Sequence, residues 1–179
     1  MQNVNFTPEK SFPMKTIYVV RHAKSSWDAI DLPDEKRPLL AKGKQRTKKV
    51  IEYLKENHIL VDQIMSSHAV RAYETAKLLA HGLKYPVEKI IINSQIYHAD
   101  GEGILNQLYD LPDRIGSVMI VGHNPSLTDF INLFLKSPVE NLPTSGVVSF
   151  SFDTDNWEKI PLASRKTNFI LFPKELPDK

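Results

Sequence analysis

A chain of 179 residues is long enough to bury a real core, and one domain is the natural expectation. Apolar residues make up 41% and charged residues 25%, with a formal net charge of +2, so bulk charge gives no argument for nucleic acid or a membrane surface as partner and any basic site must be a local cluster. The absence of cysteine excludes disulfides, thiolate catalysis and cysteine-bound metals together.

Residues 1–14 are polar, include Pro8 and Pro13, and read as an arm before a single domain over 15–179. They lack the apolar core of a signal peptide, and no apolar run approaches the ~20 residues that span a bilayer, so the expected location is cytoplasmic. The β-branched run 15–20 predicts a strand buried on both faces. Residues 21–43 have no clean period and read as a long loop. The spacing of Val50, Ile51 and Leu54 predicts a helix over 44–59. A strand is expected at 61–67 and a helix at 69–83, the latter with an alanine-rich stripe and Gly82 at its end. Residues 87–97 read as a strand and a loop, and 103–111 as a helix. The stretch 116–125 is an apolar strand ending on Gly122-His123, followed by a helix over 126–135. Alternation predicts a strand at 146–153, and "NWEKIPL" and "KTNFILFP" read as the last strands.

Strand–helix–strand order implies a parallel sheet with helices on both faces, and ligands in such sheets bind beyond the carboxyl ends of the strands. Three predicted strand ends carry polar residues. The first ends in Arg21-His22, the second leads to Arg71 just inside a helix, and a later one ends in His123. Two guanidiniums match phosphate oxygens, one histidine can attack phosphorus, and a second can donate to a nonbridging oxygen. Each piece also has a plainer reading. Arg-His can simply end a strand, Arg71 can lie on the surface, and His123 can cap the next helix. Joint placement on separate strand ends favours phosphoryl transfer through a phosphohistidine without a metal.

The segments "YVVRHAKS", "SSHAVRAYETA" and "VGHNPSL" resemble the histidine phosphatase superfamily, whose fold is phosphoglycerate mutase-like. Together, "RHAKSSW", "RPLLAKG", "VGHNPSL" and "LPTSGVVSF" are similar to its short SixA-type phosphohistidine phosphatases, over residues 15–152. The resemblance implies a three-layer α/β/α sandwich with a mostly parallel sheet. It implies His22 as the nucleophile, Arg21 and Arg71 as phosphate clamps, and His123 as the second histidine, with no cofactor and no metal. Ala23, where many members have Gly, points to the SixA branch.

His68 stands where proline is common and is a candidate contact to phosphate or leaving group. Larger members place an acid in the loop beyond the middle strand. Here the candidates are Asp100, His98 and Glu102, and Asp100 can equally cap a helix. A phosphohistidine substrate has less need of such an acid. Lys24, Ser25 and Ser26 are candidate phosphate contacts, although the plain alternative is a solvated loop. Asn124 and Ser126 can orient the site, but capping is the first expectation. Trp27 and Trp157 are expected to pack, the basic stretch 44–49 to be a solvated face, and 144–146 to turn into a strand. The leading reading is a phosphatase acting on phosphohistidine in a protein. The alternatives are a phosphatase of small phosphorylated metabolites and a phosphate-binding module without turnover.

Overall fold

The computed structural model describes residues 14–27 and 31–177. The proposed arm, apart from Met14, lies outside the described residues. The elements in chain order are β1 (Lys15–Arg21), α1 (Ala41–Glu56), β2 (Gln63–Ser66), α2 (Val70–Gly82), β3 (Ile91–Ile92), α3 (Gln95–His98), α4 (Gly101–Tyr109), β4 (Ser117–Gly122), α5 (Ser126–Asn132), β5 (Val147–Phe152) and β6 (Arg165–Leu171). The six strands form one sheet in the order β3-β2-β4-β1-β5-β6. β3, β2, β4 and β1 are parallel, β5 is antiparallel to β1, and β6 is antiparallel to β5.

The central strands have no polar face because both faces are covered. In β1, Ile17 and Val19 join one apolar cluster, while Tyr18 and Val20 join the other. β4 repeats the alternation, with Val118 and Ile120 on the first side and Met119 and Val121 on the second. The first cluster contains Ile104, Leu105 and Leu108 of α4 and Leu127, Phe130 and Ile131 of α5. The second contains Val50, Ile51 and Leu54 of α1 and Ala72, Ala76, Leu79 and Ala80 of α2. The i, i+3, i+4 spacing of these residues turns one stripe of each helix to the sheet. The result is the expected α/β/α layering with a mostly parallel sheet. Among the described residues no helix is long and apolar enough to cross a membrane.

Two expectations are corrected. "NWEKIPL" is not a strand but a 3₁₀ helix, Trp157–Leu162. The Asn156 side chain accepts from the Glu158 backbone N–H at 2.8 Å, and Trp157 and Ile160, three residues apart, are both buried. That spacing suits three residues per turn and not the two of a strand. The segment 87–97 forms only the two-residue β3, between a 3₁₀ turn (Val87–Lys89) and the short helix α3. The loop after β1 contains a 3₁₀ turn at Asp34–Lys36.

Helix α1 starts at Ala41, a turn earlier than its apolar stripe announces. Gly43 permits this. A Cβ there would lie 2.3 Å from the Lys24 carbonyl oxygen and 2.8 Å from its nitrogen, both backbone atoms. The loop after β1 is therefore clamped directly onto the first turn of α1, and Leu40 N–H donates to the Lys24 carbonyl at 2.9 Å. Replacing Gly43 by Ala should destabilise the protein by about 1–3 kcal/mol in a urea melt, because neither backbone can retreat cheaply. A variant as stable as the parent would mean that the Lys24 loop is free to move.

Candidate active site

The sheet register builds the site. Val20 of β1 pairs with Val121 of β4, and Val121 pairs with Ser66 of β2. The three parallel strands therefore end at one level. One step further, the His22 N–H donates to the Gly122 carbonyl at 3.0 Å and the Ser67 N–H to the Val121 carbonyl at 3.0 Å. His22, His123 and Ser67 stand side by side as a consequence. The two imidazole centroids are 5.0 Å apart, and His123 Nε2 lies 2.8 Å from Ser67 Oγ.

His22 is buried, and its Nδ1 is 2.8 Å from the Ala23 carbonyl oxygen. A carbonyl only accepts, so Nδ1 carries the hydrogen and Nε2 carries the lone pair. Burial, above all, lowers the His22 pKa to about 3; the Ala23 hydrogen bond opposes this, and the charges of Arg71, Arg21 and Arg37 reinforce it. The ring is thus neutral at physiological pH, as a nucleophile must be. His123 is shifted in the same direction, by burial first and then by His22 and Arg71. The residue after His22 is pinned by α2: Ala23 N–H donates to Thr75 Oγ1 at 2.9 Å, and that hydroxyl donates to the Arg71 carbonyl at 2.6 Å.

Arg21, His22, Arg71 and His123 all line one cavity of about 570 Å³, together with Lys24 and Asn124. Arg21 Nη1 donates to the Leu142 carbonyl at 2.9 Å. Among the described residues, the buried side-chain nitrogens and oxygens without a hydrogen-bond partner are Arg21 Nε, Arg71 Nε, His123 Nδ1, Asn124 Oδ1 and His68 Nδ1. Four of these five belong to the cavity. Buried polar groups are rarely left unpaired, and a cluster of them around one cavity marks a binding site for a polar ligand.

The other sequence candidates are dispersed. Ser25 lines the cavity, but its hydroxyl accepts from Arg37 Nη2 at 2.6 Å, so it orients an arginine. Asn124 and Ser126 do not cap α5. Asn124 Nδ2 donates to Asn141 Oδ1 at 2.7 Å and to the Leu142 carbonyl at 3.0 Å, while Ser126 Oγ donates to the His123 carbonyl. His68 lies outside the cavity, 3.3 Å from Glu35 and with its ring tilted against that of Tyr97 at 5.0 Å. Asp100 is the N-cap of α4, where its carboxylate accepts from Gly103 N–H at 2.7 Å, and it does not line the cavity. His98 and Glu102 are exposed and likewise outside it. Trp157 packs as expected, but Trp27 is 76% exposed at the cavity, with the Arg37 guanidinium 3.4 Å from its ring centroid. The 144–146 turn reaches the site, for Ser145 N–H donates to the Arg21 carbonyl at 3.1 Å.

Asp34, Arg37 and Tyr97 escaped the sequence reading. Asp34 accepts from Arg37 Nη1 at 2.7 Å, from Arg71 Nη2 at 2.8 Å and from the Tyr97 hydroxyl at 2.6 Å, and its backbone carbonyl accepts from Arg71 Nη1 at 2.6 Å. Tyr97 in turn stands edge-on to His123 at 5.2 Å. Burial raises the Asp34 pKa, but the hydrogen bonds from Tyr97 and Arg71 and the charges of Arg71 and Arg37 outweigh it and bring it to about 2. Asp34 therefore stays ionised and is a poor proton donor. The "DEKR" spacing, an acid three residues before an arginine, is the sequence trace of this contact.

The family model of the histidine phosphatase superfamily (branch 1) matches residues 17–91, from β1 to β3. An uncharacterized protein of Mycobacterium leprae is 25% identical over 157 residues, covering 81% of this chain and 94% of its own. The fold is similar to that of a protein named SixA from Nakamurella multipartitia, with a TM-score of 0.75 and 18% identity over 89% of this chain and 96% of that one. A protein histidine phosphatase SixA solved with tungstate gives 0.74 and 20% identity, over 89% and 97%.

The buried neutral histidines predict an acid-sensitive fold. In the unfolded chain each takes its proton near 6.5, whereas in the folded chain His22 does so near 3 and His123 is also shifted far down. Between these values the unfolded state binds more protons, so stability falls as pH drops below 6.5. Asp34 adds to the loss only below its ordinary value of 3.8. Melting curves from pH 7.5 down to 4.5 should lose Tm steadily, with a shallower loss in His22→Gln. A flat Tm in the parent over that range would contradict the pair of buried neutral rings.

Proposed function

We propose that the chain is a histidine phosphatase, as the family model matching residues 17–91 supports, and that it removes phosphoryl groups through a covalent phosphohistidine on His22. One observation carries this reading: Nδ1–H of His22 is tied to the Ala23 carbonyl, which leaves the Nε2 lone pair free in a cavity shared with Arg21, Arg71 and His123. In the first step the Nε2 lone pair attacks phosphorus. The Nε2–P bond forms, the bond from phosphorus to the leaving group breaks, and the leaving group departs with its electron pair and takes up a proton. Arg21 and Arg71 hold the nonbridging oxygens as charge moves onto them, and His123 and Asn124 complete the ring of polar contacts. In the second step water attacks phosphorus, the Nε2–P bond breaks, and inorganic phosphate leaves.

The substrate that this chemistry suits best is phosphohistidine on a protein. Asp34, the one carboxylate among the described residues of the cavity, is ionised and bound to Arg37, Arg71 and Tyr97. An alkyl phosphate needs a proton donor for its leaving oxygen. A protonated imidazole leaves as a neutral ring and needs none. The likeness in fold to SixA proteins supports the same substrate class.

His22→Ala should lower turnover by about four orders of magnitude or more while melting like the parent. Quenching the parent protein in mid-reaction should trap an alkali-stable, acid-labile phosphate on His22, located by mass spectrometry. Full activity in a folded His22→Ala variant ends the nucleophile assignment. For the substrate, a phosphohistidine-bearing protein is compared with sugar phosphates and nucleotides. A large advantage for one small phosphomonoester transfers the reading to metabolites.

A further inference from the structure

Three cations that the mechanism proposed above leaves without a role line the same cavity: Lys24, Arg46 and Lys174. They come from distant parts of the chain. Lys24 follows the nucleophile, and its backbone is pressed onto Gly43 of α1. Arg46 is three residues past Gly43, so it projects from the same side of α1. Its neighbour Thr47 is buried and hydrogen-bonds Ser145 at 3.0 Å, which fixes that face of the helix against the strand-end turn. Lys174 is carried there by the chain after β6. Leu176 packs into the α1–α2 cluster with Tyr53 and lines a groove along α1 with Lys49 and Tyr53.

The charged side chains of all three lack a hydrogen-bond or ion-pair partner among the described residues. The cavity's carboxylate, Asp34, is already shared by Arg37 and Arg71. Like charges gathered without a counter-charge raise the energy of the protein, and an anion in their midst relieves it. The cavity volume of about 570 Å³ matches a site for a whole small molecule or a side chain with its flank, well beyond one phosphoryl group.

We propose that Lys24, Arg46 and Lys174 form a second anion subsite beside the phosphoryl site, which takes a further phosphate or carboxylate of the substrate. The preferred substrate is then one whose scissile phosphoryl group is flanked by another anion. This gives part of the basic stretch 44–49 a function, where a solvated face was expected. The proposal rests on the phosphoryl-site reading, but it fails separately from it.

The test compares three stable ligands by calorimetry on the intact protein: methylphosphonate, propane-1,3-diphosphonate and 4-phosphonobutanoate. At least one of the two-anion ligands should bind about tenfold tighter than methylphosphonate. Preference for the diphosphonate identifies a second phosphate, and preference for the phosphonobutanoate identifies a carboxylate. In the double variant Arg46→Ala/Lys174→Ala that ratio should fall to about twofold or less. Lys166→Ala, on a different cavity, should leave the ratio intact. Equal affinity of the parent for all three ligands overturns the subsite. So does a ratio that survives the double variant, or one that Lys166→Ala reduces equally, since that indicates diffuse charge. Arg71→Ala tests the first site independently: if it does not weaken methylphosphonate, the phosphoryl-site reading is what fails.

Discussion

The site depends on one backbone constraint, the common level at which β1, β4 and β2 end. Ladder hydrogen bonds fix the pairing of Val20 with Val121 and of Val121 with Ser66. Slippage by one residue would turn every side chain of a strand to the opposite face. Both faces of β1 and β4 are buried against different helix pairs, so slippage would exchange Ile17 and Val19 with Tyr18 and Val20 between two cores of different shape. The core thereby protects the register, and the register sets the 5.0 Å between the imidazoles. No local interaction at the strand ends has to hold the two histidines together.

Arg71 has no such ladder, and a carboxylate does the work for it. Asp34 sits on a turn of the loop after β1, yet it grips Arg71 of α2 twice, Arg37 of its own loop and Tyr97 of α3. Charge-assisted bonds of this kind are short and directional, and they favour arginine over lysine because the planar fork is already shaped for two acceptors. Arg37 then passes the constraint on, donating to Ser25 Oγ and to the Ser26 carbonyl at 2.9 Å and covering Trp27. The loop that follows His22 is thus tied to the helix that carries Arg71.

His22, Arg21, Arg71 and His123 were legible because strand periodicity is simple and parallel sheets collect ligands at strand ends. The layers followed from the same periods. Asp34 and Tyr97 were not legible. Their positions depend on how a loop and a four-residue helix cross the sheet edge, and neither segment has a period to read. Asp100 illustrates the converse. Its type and place fitted a proton donor and a helix cap equally well, and the cap is what the structure contains. Trp157 and Trp27 were one residue type with one expectation. Packing held for the first, which sits under a 3₁₀ turn with its indole donating to the Ile115 carbonyl at 3.0 Å. For the second, the buried guanidinium of Arg37 replaced the core as stacking partner.

Under the proposed phosphatase reading, the proton inventory of the cavity ranks leaving groups. Four arginines line it, the two histidines stay neutral, and the one carboxylate is ionised among the described residues. Such a set stabilises negative charge on nonbridging oxygens throughout the reaction, which suits the loose transition state of phosphoryl transfer. It supplies no carboxylic acid to a leaving oxygen. Leaving groups that are stable without such help, or that bring their own proton as imidazole does, gain the whole benefit of the arginines. An alkoxide gains only part of it. The proposed second anion subsite draws on the same excess of positive charge, so the two proposals, for the leaving group and for its surroundings, have one electrostatic origin.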